Sequence, residues 1–183
     1  GYADAQYYLA RKYDNGQGIP QNDKAAVKWY TLSAEQRYAD AQNSLGVMYA
    51  NGEGVLQSYE TASKWYMLAA EQGDMHAQFN LGLMYESGKG VLQNYETAVE
   101  WLTLAAEQKF ADAQTNLAVL YVTGLGVNKD LVYAYMWASL GVVNGSDIGA
   151  GLLDKVAGRM TASEIEEAHQ LARECVSKNY KNC

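Results

Sequence analysis

The 183-residue chain is 49% hydrophobic and carries a formal net charge of -7, enough apolar content to bury a sizeable core and nothing that suggests disorder. That charge argues against a nucleic-acid binder, which needs a basic stripe to displace counterions, and against adsorption to anionic lipid. No apolar run approaches the roughly 20 residues that span a bilayer.

The N-terminal stretch GYADAQYYLARKY has neither the basic start nor the apolar core of a signal peptide, and no initiator Met. An excised or processed segment is the expectation, which leaves localisation open and export after signal removal compatible with the sequence. Cut every 36 residues, the chain repeats itself: residues 1–36, 37–72, 73–108 and 109–144 open GYADAQ, RYADAQ, GDMHAQ and KFADAQ. Leu9, Leu45, Leu81 and Leu117 fall in register, as do Tyr13, Tyr49, Tyr85 and Tyr121, and all four tryptophans share one position. A fixed period of this length signals a repeat architecture, here a single repeat domain over 1–183 with a C-terminal cap at 145–183.

Each repeat reads as two helices. In the second, Ala41, Leu45, Met48 and Tyr49 give the first helix an apolar stripe at helical spacing, and Gly52 stands where a left-handed residue would end it. Asn22, Ser58, Asn94 and Asp130 share one later position; all are N-cap formers, so a second helix starts there. It carries Ala62, Trp65, Tyr66, Leu68 and Ala69. Ala10, Gly46, Gly82 and Ala118 are small enough to let the paired helix approach, and the tryptophans read as core filler between repeats. Stability should come from stacking neighbours. Beyond residue 144, DIGAGLLDKVAGRM can form another first helix. Thr161-Ala-Ser-Glu164 then has the pattern of a capping box and opens a helix over roughly 162–178, whose polar outer face suits a terminal unit.

These residues resemble the Sel-1-like repeat family, a branch of the tetratricopeptide-type helical solenoids. The second repeat supplies Ala41, Leu45-Gly46, Tyr49, Gly52-Glu53-Gly54-Val55 and Trp65-Tyr66, closing with Ala69-Ala70-Glu71-Gln72-Gly73. Repeat one departs at Ala10-Arg11-Lys12, Lys12 falling at a core Met position, and has Ile19 for Val. Repeat four has Gly141-Val142-Val143-Asn144 in place of the AEQ ending. The resemblance implies an all-α, right-handed superhelical solenoid serving as a protein-interaction adaptor, and the tail resembles the ends of bacterial members.

Chemistry is sparsely supplied. Only His76 and His169 are present, and Cys175, six residues after His169, lies about 240° round an α-helix from it. Cys175 and Cys183 can pair with each other if the tail bends, or stay free; they lack the Cys-x-x-Cys spacing of a structural zinc site. Gly88-Lys89-Gly90 fails as a phosphate loop: Gly82 is one residue too far upstream, Gly90 stands where a Ser or Thr is needed, and no strand leads in. The middle residue of that loop is Gln17, Glu53, Lys89 or Leu125, so no charge is required there. No catalytic, cofactor or metal residues are therefore assigned, and no cofactor is expected.

Function in an array lives where repeats differ. One varying stripe of the first helices contains Tyr8, Arg11, Asn43, Val47, Phe79, Asn80, Leu83, Thr115 and Val119, kept in part on one side by spacings of three and four. The resemblance places first helices on a concave surface, so these nine residues are the expected groove for a peptide or protein partner, with Tyr8, Phe79 and Leu83 as anchors. Two other readings stand beside it: a segment of a longer scaffold array, stacking on further repeats or self-associating, and an exported hydrolase of cell-wall or β-lactam-like substrates. The sequence supplies no nucleophile–base set for the last.

Overall fold

The computed structural model describes residues 2–183, and every regular element among them is an α-helix. In chain order these are α1 Tyr2–Asn15, α2 Asp23–Ala34, α3 Ala39–Asn51, α4 Tyr59–Ala70, α5 Met75–Ser87, α6 Tyr95–Ala106, α7 Ala111–Thr123, α8 Leu131–Val143, α9 Gly149–Ala157 and α10 Ala162–Ser177. The chain divides into two compact bodies, Gly1–Gln93 and Asn94–Cys183. In the first, α1 packs on α2, α2 on α3, α3 on α4 and α4 on α5; in the second, α6 packs on α7, α7 on α8, and α8 on both α9 and α10.

Helix boundaries follow local chemistry. The side-chain oxygens of Asn22, Ser58 and Asn94 accept the backbone N–H of Ala25, Thr61 and Thr97 at 3.0–3.1 Å, and Asp130 Oδ1 accepts those of Val132 and Tyr133 at 2.8 and 3.0 Å. Each satisfies an N–H that the helix itself leaves unpaired. Asp74 does the same for α5, accepting from Ala77 at 2.7 Å. The capping box at Thr161 and Glu164 is formed, and its helix ends at Ser177, one residue short of the expected 178. At the other end of α3, α5 and α7, Gly52, Gly88 and Gly124 are left-handed and donate to Met48, Met84 and Leu120 carbonyls.

Leu45 and Leu81 in the first body and Leu117 in the second are fully buried, each with alanines buried in the same body. Gly46 matters for space: a Cβ there would stand 2.6 Å from the Tyr66 ring. The tryptophans are not alike. Trp137 is buried, whereas Trp29, Trp65 and Trp101 keep partial exposure, and Val55 is half-buried.

Two sets of groups knit successive helices. Gln42, Gln78 and Gln114 are buried, and each donates its side-chain amide to a carbonyl at the end of the preceding second helix: Ala34, Ala70 and Ala106 at 3.0–3.2 Å. Each carbonyl also accepts one backbone N–H from the turn that ends its helix, those of Arg37, Gly73 and Lys109 at 2.9–3.0 Å, and the glutamine takes up its remaining acceptor capacity. Gln36 and Gln72 in turn donate to the Oε1 of Gln6 and Gln42. In repeat four the lost Gln is replaced in role: Asn144 Nδ2 donates to Gln114 Oε1 at 2.9 Å.

The second set is glycine. A Cβ on Gly54 would lie 2.5 Å from the Asp23 carbonyl carbon and oxygen, and Cβ atoms on Gly90 and Gly126 would collide with the carbonyls of Tyr59 and Tyr95. In these three loops the second glycine therefore seats backbone against the start of the preceding second helix.

Candidate functional site

The varying stripe separates into three environments. On α1, Tyr8 is 57% exposed, and Arg11, three residues on, is exposed beside it. The Tyr8 ring meets Tyr7 edge-on at 5.5 Å between centroids, and the Arg11 guanidinium sits 5.9 Å from the Tyr7 ring. Tyr7 is held from below by Tyr30 and Tyr38. Burial, then the carboxylate of Asp40, pushes its hydroxyl above the ordinary value, so it stays a neutral phenol at physiological pH. Tyr30 is itself fixed, its hydroxyl donating to Asp14 Oδ2 at 3.0 Å. Tyr8 and Arg11 thus ride on a rigid aromatic base.

On α3 and α5, Asn43, Val47, Phe79, Asn80 and Leu83 are all half-buried. Asn80 Nδ2 donates to Asn43 Oδ1 at 3.2 Å, tying two first helices together along the stripe. On α7 the pattern breaks. Val119 is 39% exposed, but Thr115 is 5% exposed. The Thr115 hydroxyl bonds the Ala111 carbonyl at 3.1 Å and Ser146 Oγ at 2.9 Å. A Cβ on Gly141 would stand 2.6 Å from Thr115 Oγ1, which explains why repeat four has glycine where others have Ser or Ala. The expectation for Thr115 is corrected: it is a buried joint between α7 and the turn after α8, with no face left for a partner.

Cavities lie beside second helices among α2–α4, at α4 and among α8–α10, and none of the nine stripe residues lines these. The most apolar, about 490 Å³, lies in the second body among α8, α9 and α10, between Leu140, Val142, Leu153 and Val176, with His169 and Ser139 in its wall. His169 meets Tyr135 edge-on at 5.3 Å, and Ser139 Oγ is buried with no hydrogen-bond partner. A serine nucleophile needs a base within hydrogen-bond reach, so this pair is not an activated one. Cys175 is bonded to Cys183 and offers no thiolate. Among the described residues no group of three or more His, Cys, Asp or Glu could hold a metal ion.

Of the two states the sequence leaves open for these cysteines, the disulfide is the one formed. Left-handed Asn179, Tyr180 and Asn182 turn the tail back. Tyr180 is buried, Lys109 Nζ lies 5.0 Å over its ring, and Glu107 receives Lys181 Nζ at 3.1 Å and the Asn182 N–H at 2.8 Å. The signal for this contact, a lysine and an asparagine more than seventy residues from Glu107, has no period to reveal it.

The paired helices, glycine-ended loops and glutamine ties recur with the period of the sequence, and the profile of the Sel1 repeat matches residues 3–38, 39–74, 76–110 and 111–141. The chain belongs to the Sel1 repeat family. Sel1 repeat proteins are generally protein-interaction modules. The structure is similar to that of a protective antigen present in uropathogenic Escherichia coli strains that displays an SLR fold, with a TM-score of 0.89 and 35% identity over 97% of this chain and 39% of that one. It is also similar to a Sel1 repeat protein from Oxalobacter formigenes, with a TM-score of 0.82 and 30% identity over 94% of this chain and 72% of that one. The chain thus spans well under half of the length of the E. coli antigen, and both relatives are bacterial. A comparison with curated proteins returns no match. No helix among the described residues is long and apolar enough to cross a membrane.

Proposed function

We propose that this Sel1 chain binds a peptide or protein surface along the first helices of its N-terminal body, through Tyr8, Arg11, Asn43, Val47, Phe79, Asn80 and Leu83. The observation that carries the reading is the exposed Tyr8–Arg11 pair beside half-buried Tyr7, which rests on Tyr30 and Tyr38. Tyrosine and arginine are the side chains that most often dominate contact energy, and here their positions are pre-set, so little ordering entropy is lost on binding. The Asn43–Asn80 pair adds amide groups that can read a partner's backbone. The role is non-catalytic and needs no cofactor, and the net charge of -7 favours a protein partner over nucleic acid. The Cys175–Cys183 bridge supports an oxidising compartment, and so export.

The test is capture of a partner on the immobilised chain, identification by mass spectrometry, and titration of that partner against Tyr8→Ala with Arg11→Ala. Both side chains are exposed, so circular dichroism should be unchanged while Kd weakens at least tenfold, about 1.4 kcal/mol. An unchanged Kd would move the site off this stripe.

A further inference from the structure

We infer that the cavity among α2, α3 and α4 is a second peptide site, which takes an aromatic residue followed directly by a lysine or arginine from a separate partner protein. The template for its occupant lies in the second body. There the C-terminal tail turns back on the ends of α6 and α8, and Lys181 Nζ and the Asn182 N–H reach the two carboxylate oxygens of Glu107 at 3.1 and 2.8 Å. Lys109 Nζ stands 5.0 Å over the Tyr180 ring, and Asn144 Nδ2 donates to the Tyr180 hydroxyl at 3.4 Å. Tyr180 is only 5% exposed in this seat.

Two repeats earlier in the sequence, the first body builds the same seat. Glu35 holds the position of Glu107 and Arg37 that of Lys109, and the two cations share a left-handed turn at φ +66 and +68. Gly73 takes this position in the intervening repeat, so a cation there is no general requirement of the fold. The floor is built alike. Gln42 donates to the Ala34 carbonyl as Gln114 does to that of Ala106, and Gln72 donates to Gln42 Oε1 as Asn144 does to Gln114 Oε1. Above this floor Leu68 is 45% exposed and Trp65 half-buried. Their counterparts Leu140 and Trp137, on the helix against which α10 packs, are 2% and 3% exposed. The cavity in the first body measures about 550 Å³, with Glu35, Arg37, Trp65, Leu68 and Glu71 in its wall.

The charges state what fits. Glu71 stands where the second body has Val143, so this cavity offers two carboxylates to an incoming lysine or arginine, and either oxygen pair can also take a backbone N–H. Arg37 can lie over an aromatic ring as Lys109 does over Tyr180, with guanidinium the commoner partner in such contacts. Trp65 and Leu68 give the ring apolar surface to cover. A separate partner is favoured over a second copy's tail because the tail is already seated on its own body and closed by the Cys175–Cys183 bridge. No residue of the first-helix stripe lines the cavity.

The probe is a disulfide-closed peptide copying residues 175–183, titrated into the full chain by calorimetry and followed in heteronuclear NMR spectra. It should bind saturably below about 1 mM and shift the Trp65 indole signal. Glu35→Gln with Glu71→Gln in the protein, or Lys181→Glu in the peptide, should weaken binding about tenfold. Tyr180→Ala in the peptide should abolish it. Both glutamates are exposed, so circular dichroism of the double variant should be unchanged. No saturation by about 1 mM, equal affinity for the double variant, or shifts at Lys109 and Asn144 as the peptide displaces the chain's own tail, overturns the site. A concentration-dependent dimer of the full chain that the same two substitutions dissolve would give the cavity to a second copy's tail and overturn the separate partner. Tyr8→Ala with Arg11→Ala should leave this titration unchanged, so the cavity and the binding stripe fail independently.

Discussion

Gly18 and Gly54 share a backbone conformation and differ only in what lies beyond it. Both are left-handed, so an alanine at either carries the steric penalty of that region, about 1–2 kcal/mol. Only Gly54 also faces a carbonyl, at 2.5 Å from a built Cβ, and inserting a methyl against fixed backbone adds about 1–3 kcal/mol. Urea unfolding should therefore show Gly54→Ala losing about 1–3 kcal/mol more than Gly18→Ala. Equal losses would mean that the contact between α2 and the loop opens at no cost. The sequence shows Gly52 as the left-handed residue that ends its helix, which holds. It does not distinguish the second glycine's separate task, because a positive φ and a close approach select the same residue.

At the level of helices, what the sequence shows most plainly is periodic and local. Four N-caps, the left-handed endings and the capping box at Thr161 all stand within a few residues of the groups they satisfy, and each is formed. The glutamines of ADAQ are legible as repeat markers but not as ties, since their acceptors are carbonyls, which leave no trace in side-chain identity. Thr115 shows the opposite failure. It holds the same register as Asn43 and Phe79, but its neighbour is a terminal turn and not another repeat, so equal position brings unequal burial. Asp74, the one polar cap on a first helix, carries a pH signature. Burial pushes its carboxyl above 3.8, outweighing the Ala77 N–H and nearby His76, while Asp40 adds to the rise. A raised acid holds its proton more tightly in the folded state, so its contribution is present at acid pH and lost as pH rises through the folded value. Asp74→Asn keeps a capping oxygen and cannot ionise. The stability difference between variant and wild type should therefore move in favour of Asn between about pH 3 and pH 7, followed by denaturant unfolding across that range; a flat difference would show that the carboxylate is well solvated.

Over the whole molecule, covalent and non-covalent closures coincide at one end. The disulfide joins residues 8 apart in sequence, and the loop it closes holds Tyr180, Lys181 and Asn182 against the end of α6 and the helices beside it. Closing so short a loop contributes about 2–3 kcal/mol by chain entropy. Reduction, or Cys175→Ser with Cys183→Ser, should lower stability by that amount and expose the Asn182 amide to rapid hydrogen exchange; an unchanged melting curve with reductant would show that the Glu107 contacts hold the tail unaided. The glycine joints have a different reach. Gly54 rests on an aspartate and Gly90 and Gly126 on tyrosines, yet the nearest atoms in each case are backbone, so the joint is blind to the side chain it meets. A gene that duplicates or recombines such segments inherits a working seam without further mutation, and selection is left free to alter the faces that point away from it.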